Sequence, residues 1–290
     1  MRFFIKVALV LVAISTDLTL SFAEKRALVF AVGRYEDPSW PVISSVNDLR
    51  YVEAVLKAGG FRDIVVLKDS QATKAAMLKA FANLASRCRP GDEVYIHFSG
   101  HGQQVTDIDG DEDDGWDEAW IPYDAYLLPC ARDDGSRHLV DDEINVLLHR
   151  IRQSVGPEGR ILVIADACHS GGSSRRDGDV ELPPHRGTDI RFRIDPAAYR
   201  PASAVAVAEE WALVSACRDY QVNWEMTEPR AGRLTYCIYM LRDRLAFMNG
   251  TDVIEEIASM MERMQSPLPQ DPVLGGSCEG DLISRMFKRK

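Results

Sequence analysis

The chain has 290 residues, and apolar residues make up 46% of it. This is enough to bury the core of one large α/β domain or of two smaller ones. A formal net charge of −10 gives no electrostatic support for a nucleic-acid partner, and the sequence contains neither a glycine-rich phosphate loop nor a CxxC pair typical of zinc ribbons.

The first residues are typical of an export signal. Arg2 and Lys6 give a charged start, an apolar run covers 7–14, and 21–23 offers small residues before a cleavage point. The sequence therefore predicts a signal peptide over residues 1–23 and an exported protein, periplasmic or secreted. Without cleavage the protein would be cytoplasmic, and the alternatives for this segment are a short uncleaved anchor or an internal strand. No apolar run approaches the about 20 residues of a membrane helix, so we expect no stable membrane insertion.

Strands and amphipathic helices alternate after this segment. Apolar runs indicate buried strands, and apolar residues that recur on one face indicate helices. Such an alternation predicts a mainly parallel sheet that is covered on both faces. In chain order the pattern predicts a strand at 27–32, a helix at 44–58, a strand at 64–67, a helix at 71–87, a strand at 93–98, a short strand at 119–122, a helix at 141–155 and a strand at 160–165.

The second half of the chain is less regular. Residues 172–208 are rich in Arg, Pro, Gly and Asp and have little periodicity, which predicts a long flexible loop. A strand is predicted at 211–216, and the segments 235–248 and 252–264 fit helices or a helix and a strand. The prolines and glycines of 265–275 predict an irregular tail.

Two short strings each follow a predicted strand: Ser99-Gly100-His101-Gly102 and Asp166-Ala167-Cys168-His169-Ser170-Gly171. Sites in parallel sheets lie at the carboxyl ends of strands, so His101 and Cys168 are expected at one edge. A thiol becomes a nucleophile when a histidine lies within reach. His169 is a poor base for Cys168, because neighbours in an extended chain point to opposite sides. Taken singly, each residue has an ordinary alternative, an inert buried cysteine or a turn histidine; together they predict catalysis.

The main-chain N–H groups of Gly102 and Cys168 are candidate donors to an oxyanion. Glycines on both sides of His101 let substrate and backbone approach closely. The predicted reaction passes through a thioester acyl-enzyme and requires no cofactor for its chemistry. The sequence assigns no third catalytic group.

These strings, with the acidic stretch between them, resemble the metacaspase branch of the caspase-like cysteine peptidases. Asp166 stands where the caspase string has glutamine, which is the metacaspase form. The resemblance covers about residues 26–275 and implies a caspase-like three-layer α/β/α sandwich with a mostly parallel central sheet, as one peptidase domain over residues 24–290. The motifs that carry it are Phe98–Gln103, Gly110–Glu112, Asp114–Glu118, Pro122–Asp124 and Asp166–Gly171, and more weakly Ser45–Asp48, Ser215–Gln221 and Gly232–Thr235.

The resemblance implies an endopeptidase that cleaves protein or peptide substrates after Arg or Lys, with Cys168 as nucleophile and His101 as acid and base. Two pocket aspartates of the family map onto Asp48 and Asp166, and a pocket serine maps onto Ser99. Paired carboxylates favour a guanidinium, which they can bind bidentately. The ordinary alternative for Asp48 is a favourable charge in the first turn of a helix.

The segment 107–118 contains eight acidic residues. It is not an EF-hand, because Glu112 stands where that loop requires glycine. The resemblance implies calcium activation, since some metacaspases need calcium and their ligand aspartates map onto Asp117, Asp141 and Asp142. Arg175 stands about where a fourth ligand is found in the family. The alternative is a solvated acidic loop.

For the loop at 172–208 the resemblance implies self-processing, in which an Arg-specific enzyme would cleave its own chain. The alternative is a charged connection. Two other functions stay open at this point: a catalytically silent caspase-fold module that binds calcium or a protein, and a peptidase of the legumain or gingipain type with another preference. The arginines of this loop are Arg175, Arg176, Arg186, Arg191, Arg193 and Arg200.

Overall fold

A six-stranded, mostly parallel sheet forms the centre of the chain in a computed structural model that describes residues 23–110, 112–168, 183–195, 197, 210–276 and 281–288. The predicted signal peptide at 1–23 lies outside the described residues except for Ala23. The same holds for most of the predicted flexible loop at 172–208.

The strand order in the central sheet is β11-β8-β7-β3-β1-β2, and only the edge strand β11 runs antiparallel to its neighbour. A second sheet has the order β4-β5-β6, and β9 pairs with β10. The strands are β1 (Lys25–Ala31), β2 (Asp63–Lys68), β3 (Glu93–Ser99), β4 (Gly102–Thr106), β5 (Trp116–Trp120), β6 (Leu139–Val140), β7 (Arg160–Asp166), β8 (Ala212–Ser215), β9 (Glu225–Met226), β10 (Ala231–Gly232) and β11 (Val273–Gly276).

Helices cover both faces of the central sheet. The helices are α1 (Ser45–Gly59), α2 (Lys74–Arg87), α3 (Asp141–Val155), α4 (Arg233–Leu241), α5 (Gly250–Arg263) and α6 (Leu282–Phe287). Within the described residues, none of them combines the length and apolar character needed to cross a bilayer.

The two cores follow from the alternation of side chains along each strand. In β1, Val29 packs in one cluster with α1, α4, α5 and α6, whereas Phe30 packs in the other with α2 and α3. In β3, Tyr95 belongs to the first cluster and Ile96 to the second. This is the predicted three-layer α/β/α sandwich, and it is confirmed.

Three regions differ from the sequence pattern. The segment after β3 forms the strand β4, and the short strand predicted at 119–122 is β5, at Trp116–Trp120. The predicted irregular tail contains β11, which pairs with β8 through main-chain groups. Polar residues in β4 and glycines in β11 hide the period-2 pattern, because backbone pairing does not depend on apolar side chains.

The described part of the 172–208 segment lies against the rest of the protein. Residues 183–195 form no helix or strand, but Arg186 and Phe192 are fully buried. Isolated bridges join Phe192 to Val105 and His185 to Trp224. This stretch therefore belongs to the packed structure.

Candidate active site

The carboxyl ends of β3 and β7 are neighbours in exact register, with Ser99 opposite Asp166. His101 and Cys168 each follow two residues later. The N–H of Gly100 donates to the Asp166 carbonyl at 3.4 Å, so the two strings meet beyond the sheet. Both candidate catalytic residues therefore lie just beyond the same end of the sheet, each two residues after one of these paired strand ends.

His101 is fully buried and its ring stacks on Trp40, with centroids 5.0 Å apart. Its Nε2 lies 2.9 Å from the carbonyl oxygen of Pro41. A carbonyl only accepts, so Nε2 carries the proton and Nδ1 is the basic nitrogen. Burial lowers the pKa of His101 to about 3, which keeps the ring neutral. Nδ1 has no hydrogen-bond partner in the described part of the chain.

The Pro41 carbonyl orients the His101 ring through this bond, and it is a candidate for the third catalytic group that the sequence did not assign. No side-chain motif could have indicated it, because it acts through the main chain. Gly102, the other predicted oxyanion donor, begins β4 and lies opposite Trp120.

Cys168 is 2% exposed, and its main-chain N–H donates to the carbonyl of Arg186 at 2.7 Å. The thiol donates to the Gln221 carbonyl at 2.6 Å. Cys217 shares this environment: hydrogen bonding with Cys168 and burial raise the pKa of the Cys217 thiol well above its ordinary value. Cys217 is therefore a protonated neighbour of the candidate nucleophile.

The three predicted pocket residues come together around the guanidinium of Arg186. Ser99 and Asp166 end adjacent strands on the face that packs against α1, where Asp48 lies in the first turn. The Arg186 Nη1 lies 2.7 Å from both Asp48 Oδ2 and Ser99 Oγ, and 3.4 Å from Asp166 Oδ1. All four side chains are fully buried.

A third carboxylate, which the sequence analysis missed, completes this site. Glu225 Oε1 accepts from Arg186 Nη2 at 2.9 Å and from Nε at 3.1 Å. The Ser44 N–H and hydroxyl hold Glu225 in turn, at 2.9 and 2.7 Å. Nothing in the surrounding sequence marks Glu225 as a site residue. We call the set Ser99, Asp48, Asp166 and Glu225 the carboxylate pocket.

Fixed donors hold the carboxylates of the pocket. Asp166 accepts from Asn223 Nδ2 at 2.8 Å and from the Thr235 hydroxyl at 2.6 Å. Burial opposes its charge, but Arg186 and these hydrogen bonds lower the pKa of Asp166 below its ordinary value. Burial, together with the charge of Asp166, raises the pKa of Asp48. Burial also opposes the charge of Arg186, but the three carboxylates raise the pKa of its guanidinium.

Gly232 forms part of the pocket wall. A Cβ atom at this position would collide with the Asp166 carboxylate and with the Arg186 guanidinium. The Gly232 N–H also donates to Asp48 Oδ1 at 2.9 Å. Glycine is required here because the backbone itself approaches the pocket.

The acidic residues of the β4–β5 region gather in a different set from the one predicted. Carboxylate oxygens of Glu112, Glu118 and Asp141 lie within 4.8 Å of one another, and we call these three residues the acidic cluster. Among the described residues, this group does not include the predicted ligands Asp117 and Asp142. Asp117 follows the alternation of β5, which sends neighbouring side chains to opposite faces.

Burial and neighbouring carboxylates raise the pKa of Asp117 and of Asp141 to about 8, and that of Glu118 to about 7. A cavity of about 200 Å³ is lined by Glu118, Asp141 and Cys168. Crowded carboxylate oxygens are suitable ligands for a hard cation such as Ca²⁺. The donor set therefore fits calcium, and the cavity connects it to the candidate nucleophile.

Solved structures with a similar architecture define the fold class of this chain. A crystal structure of a Geobacter sulfurreducens protein matches with a TM-score of 0.67 and 22% identity, covering 90% of this chain and 96% of that one. Caspase-1 from Spodoptera frugiperda matches with a TM-score of 0.57 and 12% identity, covering 88% and 86%. The chain therefore has the caspase-like α/β fold.

Comparison with family models and curated relatives is more specific than the comparison of folds. The family model for the metacaspase, peptidase C14 domain matches residues 25–174, and the chain belongs to this family. It is 40% identical over 136 residues to Metacaspase-1 of Coccidioides immitis, covering 43% of this chain and 27% of that protein. It is 34% identical over 157 residues to Metacaspase-1B of Aspergillus fumigatus, covering 51% and 35%. The matching region thus spans about a third or less of these relatives.

Proposed function

We propose that the chain is a cysteine endopeptidase in which Cys168 is the nucleophile and His101 is the general acid and base. One observation carries this proposal. The adjacent strands β3 and β7 pair in register, so the neutral imidazole of His101 and the thiol of Cys168 both follow directly after paired strand ends. The family suggests the same class of activity. A catalytically silent binding module would need neither an imidazole held in one tautomer nor a pocket for a cation.

In the proposed reaction, His101 Nδ1 takes the thiol proton and the sulfur of Cys168 attacks the scissile carbonyl carbon. The main-chain N–H groups of Cys168 and Gly102 donate to the oxyanion. His101 then gives its proton to the leaving amine, and water hydrolyses the thioester. The carbonyl of Pro41, bonded to Nε2, keeps the ring oriented while it carries a positive charge.

We propose that the carboxylate pocket selects Arg or Lys in the residue before the scissile bond. The support is that the pocket already holds a guanidinium, which contacts all three of its carboxylates. Peptides that end in Arg, Lys or Asp before the reporter group test this. We expect hydrolysis with Arg fastest, then Lys, and none with Asp; a preference for Asp would contradict the proposal.

The nucleophile can be tested by covalent labelling. A peptidyl chloromethyl ketone with arginine at its reactive end should alkylate Cys168, and mass spectrometry should locate the adduct there. His101→Ala should label far more slowly, because the thiol loses its base. Cys130→Ala is the matched control, because Cys130 is an exposed free cysteine away from the described site. An adduct on another cysteine would contradict the assignment.

We also propose that Ca²⁺ binds at the acidic cluster and activates the enzyme, with Glu112, Glu118 and Asp141 as ligands. Burial and, after it, neighbouring carboxylates raise the pKa of Asp141, and a bound divalent ion would offset the repulsion among those carboxylates. Asp117 and Asp142, the other two predicted ligands, lie beside these residues in the sequence. Peptide hydrolysis with calcium and with EGTA tests this, and equal rates would contradict it.

A further inference from the structure

One face of β3 carries polar side chains through the core and up to the carboxylate pocket. Tyr95, His97 and Ser99 alternate with apolar residues, so they share the face that packs against α1 and α4. All three are buried. Ser99 belongs to the carboxylate pocket, whereas the proposed reaction uses neither of the other two. A buried histidine needs hydrogen bonds for both ring nitrogens, which an apolar side chain in the same space would not need.

The His97 ring makes a hydrogen bond with each of its nitrogens. Nδ1 lies 3.2 Å from the Tyr95 hydroxyl, and Nε2 lies 3.2 Å from the Thr235 hydroxyl. Thr235 is in the first turn of α4, and it donates its hydroxyl at 2.6 Å and its main-chain N–H at 2.9 Å to Asp166 Oδ2. These side chains therefore form a continuous chain of hydrogen bonds that ends on a carboxylate of the pocket.

A single arrangement of protons satisfies this chain of hydrogen bonds. An ionised carboxylate only accepts, so the Thr235 hydroxyl gives its one proton to Asp166 and accepts from His97. Nε2 of His97 therefore carries the ring proton, and Nδ1 accepts from the Tyr95 hydroxyl. Burial lowers the pKa of His97 to about 4 and raises the pKa of Tyr95, so the ring is neutral and the phenol keeps its proton.

This chain acts on the pocket through Asp166. The His97 Nε2–H holds the Thr235 hydroxyl in the rotamer that donates to Oδ2, and hydrogen bonds to an ionised carboxylate favour the ionised form. The other oxygen, Oδ1, accepts from Asn223 at 2.8 Å and lies 3.4 Å from the Arg186 guanidinium. A carboxylate whose Oδ2 is held in this way keeps its charge and presents Oδ1 to a cation.

We propose that His97 is a positioning residue for the carboxylate pocket, which acts through the Thr235 hydroxyl to hold Asp166 in the orientation that binds the cationic side chain of the substrate. This inference rests on the proposed function. His97 takes no part in the chemical steps, because its two nitrogens are engaged by Tyr95 and Thr235. Its effect is therefore on substrate binding and charge preference.

A purely structural role for His97 predicts a different result. A neutral histidine with both nitrogens bonded is a satisfied core residue, and its loss would then lower only the stability of the fold. Such a loss would slow the hydrolysis of all substrates to the same extent. A positioning role instead lowers the preference for a charged substrate over a neutral one of the same shape.

Arginyl and citrullyl peptides provide that comparison, because citrulline has nearly the shape of arginine but no charge. The ratio of their kcat/KM values measures the charge preference of the pocket. We expect His97→Leu to lower this ratio about tenfold, through a higher KM for the arginyl peptide with kcat unchanged. His97→Gln, whose amide can still donate to Thr235, should restore most of the ratio. Ile96→Val is the control and should leave the ratio unchanged, because Ile96 is buried on the other face of β3.

Two further variants test the other links of the chain, and circular dichroism checks that each variant is folded. Tyr95→Phe removes one hydroxyl and should lower the ratio by a smaller factor than His97→Leu. Thr235→Val removes the hydroxyl that reaches Asp166 and should lower the ratio at least as far as His97→Leu. When His97→Leu and Thr235→Val are combined, the two losses should not add, because His97 acts through that hydroxyl.

An unchanged ratio in folded His97→Leu would overturn the inference, as would additive losses in the double variant. If His97→Leu does not fold, an unchanged ratio in Tyr95→Phe overturns it. In each of these cases, a wild type that prefers arginyl to citrullyl peptides leaves the proposed function standing. If the wild type cleaves neither peptide, both proposals fall.

Discussion

The carboxylate pocket and the acidic cluster are made of the same residue types, but they differ in how their charge is balanced. In the pocket, Arg186 and fixed hydrogen bonds lower the pKa of Asp166. In the cluster, burial and like charges raise the pKa of Asp141 to about 8. A set of crowded carboxylates is thus stable either with a matched cation or by holding protons. The pocket contains its cation within the chain, whereas the cluster is suited to take one from solution.

The largest effect is expected from Asp166→Asn, which removes a pocket charge and keeps the side-chain size. Breaking a buried ion pair costs about 3–5 kcal/mol, so kcat/KM for an arginyl peptide should fall by about 100-fold or more. Stopped assays with purified protein measure this. Asp243→Asn is the matched control, because the Asp243 side chain is 76% exposed. Full activity of Asp166→Asn would show that the pocket does not bind the substrate cation.

A smaller effect is expected from Gly232→Ala, which places a methyl group against the guanidinium site. Overpacking of this kind costs about 1–3 kcal/mol, and a cost in the lower half of that range would reduce kcat/KM for arginyl peptides by about tenfold. Gly275→Ala is the control, because a Cβ there would meet nothing within 4 Å. If Gly232→Ala leaves KM for an arginyl peptide unchanged, the wall of the pocket lies elsewhere.

The acidic cluster should make the free energy of unfolding depend on pH, because its carboxylates repel one another when they are ionised. Asp141 of the cluster has a folded pKa of about 8, and so does Asp117, which lies next to Glu118 in the sequence but outside the cluster. Both values are above the unfolded pKa of about 4. The folded state therefore binds more protons between these values, and without divalent ions the free energy of unfolding should fall as pH rises from about 4 to about 8. Thermal melting in EGTA measures this. Each kcal/mol should lower the melting temperature by about 2 to 4 °C.

Calcium should remove that decline, because the cation replaces the protons. Glu118→Gln should weaken the calcium effect and raise the melting temperature at pH 8 without calcium. Asp113→Asn is the control, because Asp113 is exposed in the same loop and lies outside the cluster. A calcium-induced shift of the same size at pH 5 and at pH 8 would contradict this account.

The sequence predicted the central sheet and the pairing of the two strand ends, because apolar runs and glycine-containing strings are local signals. It also predicted Asp48, Asp166 and Ser99 as a set, through the family resemblance. It could not predict the Pro41 carbonyl, since a main-chain acceptor has no residue signature. Nor could it predict Glu225, which reaches the pocket only through tertiary packing.

For the acidic segment, the sequence indicated the kind of site but not which residues come together in it. Its composition predicted a cation site, but the set of ligands depends on which face of β5 each side chain takes. Glu118 and Asp141 meet in the acidic cluster, whereas the predicted Asp117 is not a member of it. Strand alternation separates residues that are adjacent in sequence, and the boundary of β5 was misplaced by three residues. The ligand set Asp117, Asp141 and Asp142, which the family resemblance implies, therefore stays a prediction that only ion binding can test.

The smallest effect is expected from Ser44→Ala, which tests how much the hydrogen bond to Glu225 contributes to the carboxylate pocket. Ser44→Ala removes the hydroxyl that donates to Glu225 at 2.7 Å and leaves the main-chain N–H in place. A hydrogen bond to a charged group contributes about 1.5 kcal/mol, so KM for an arginyl peptide should rise by about tenfold or less while kcat is unchanged. Ser45→Ala is a close control, because the adjacent Ser45 is buried and its hydroxyl has no partner among the described residues. A fall in kcat with unchanged KM would instead mean that Glu225 acts on the reacting groups, and the division between a binding pocket and a separate Cys168–His101 pair would have to be redrawn.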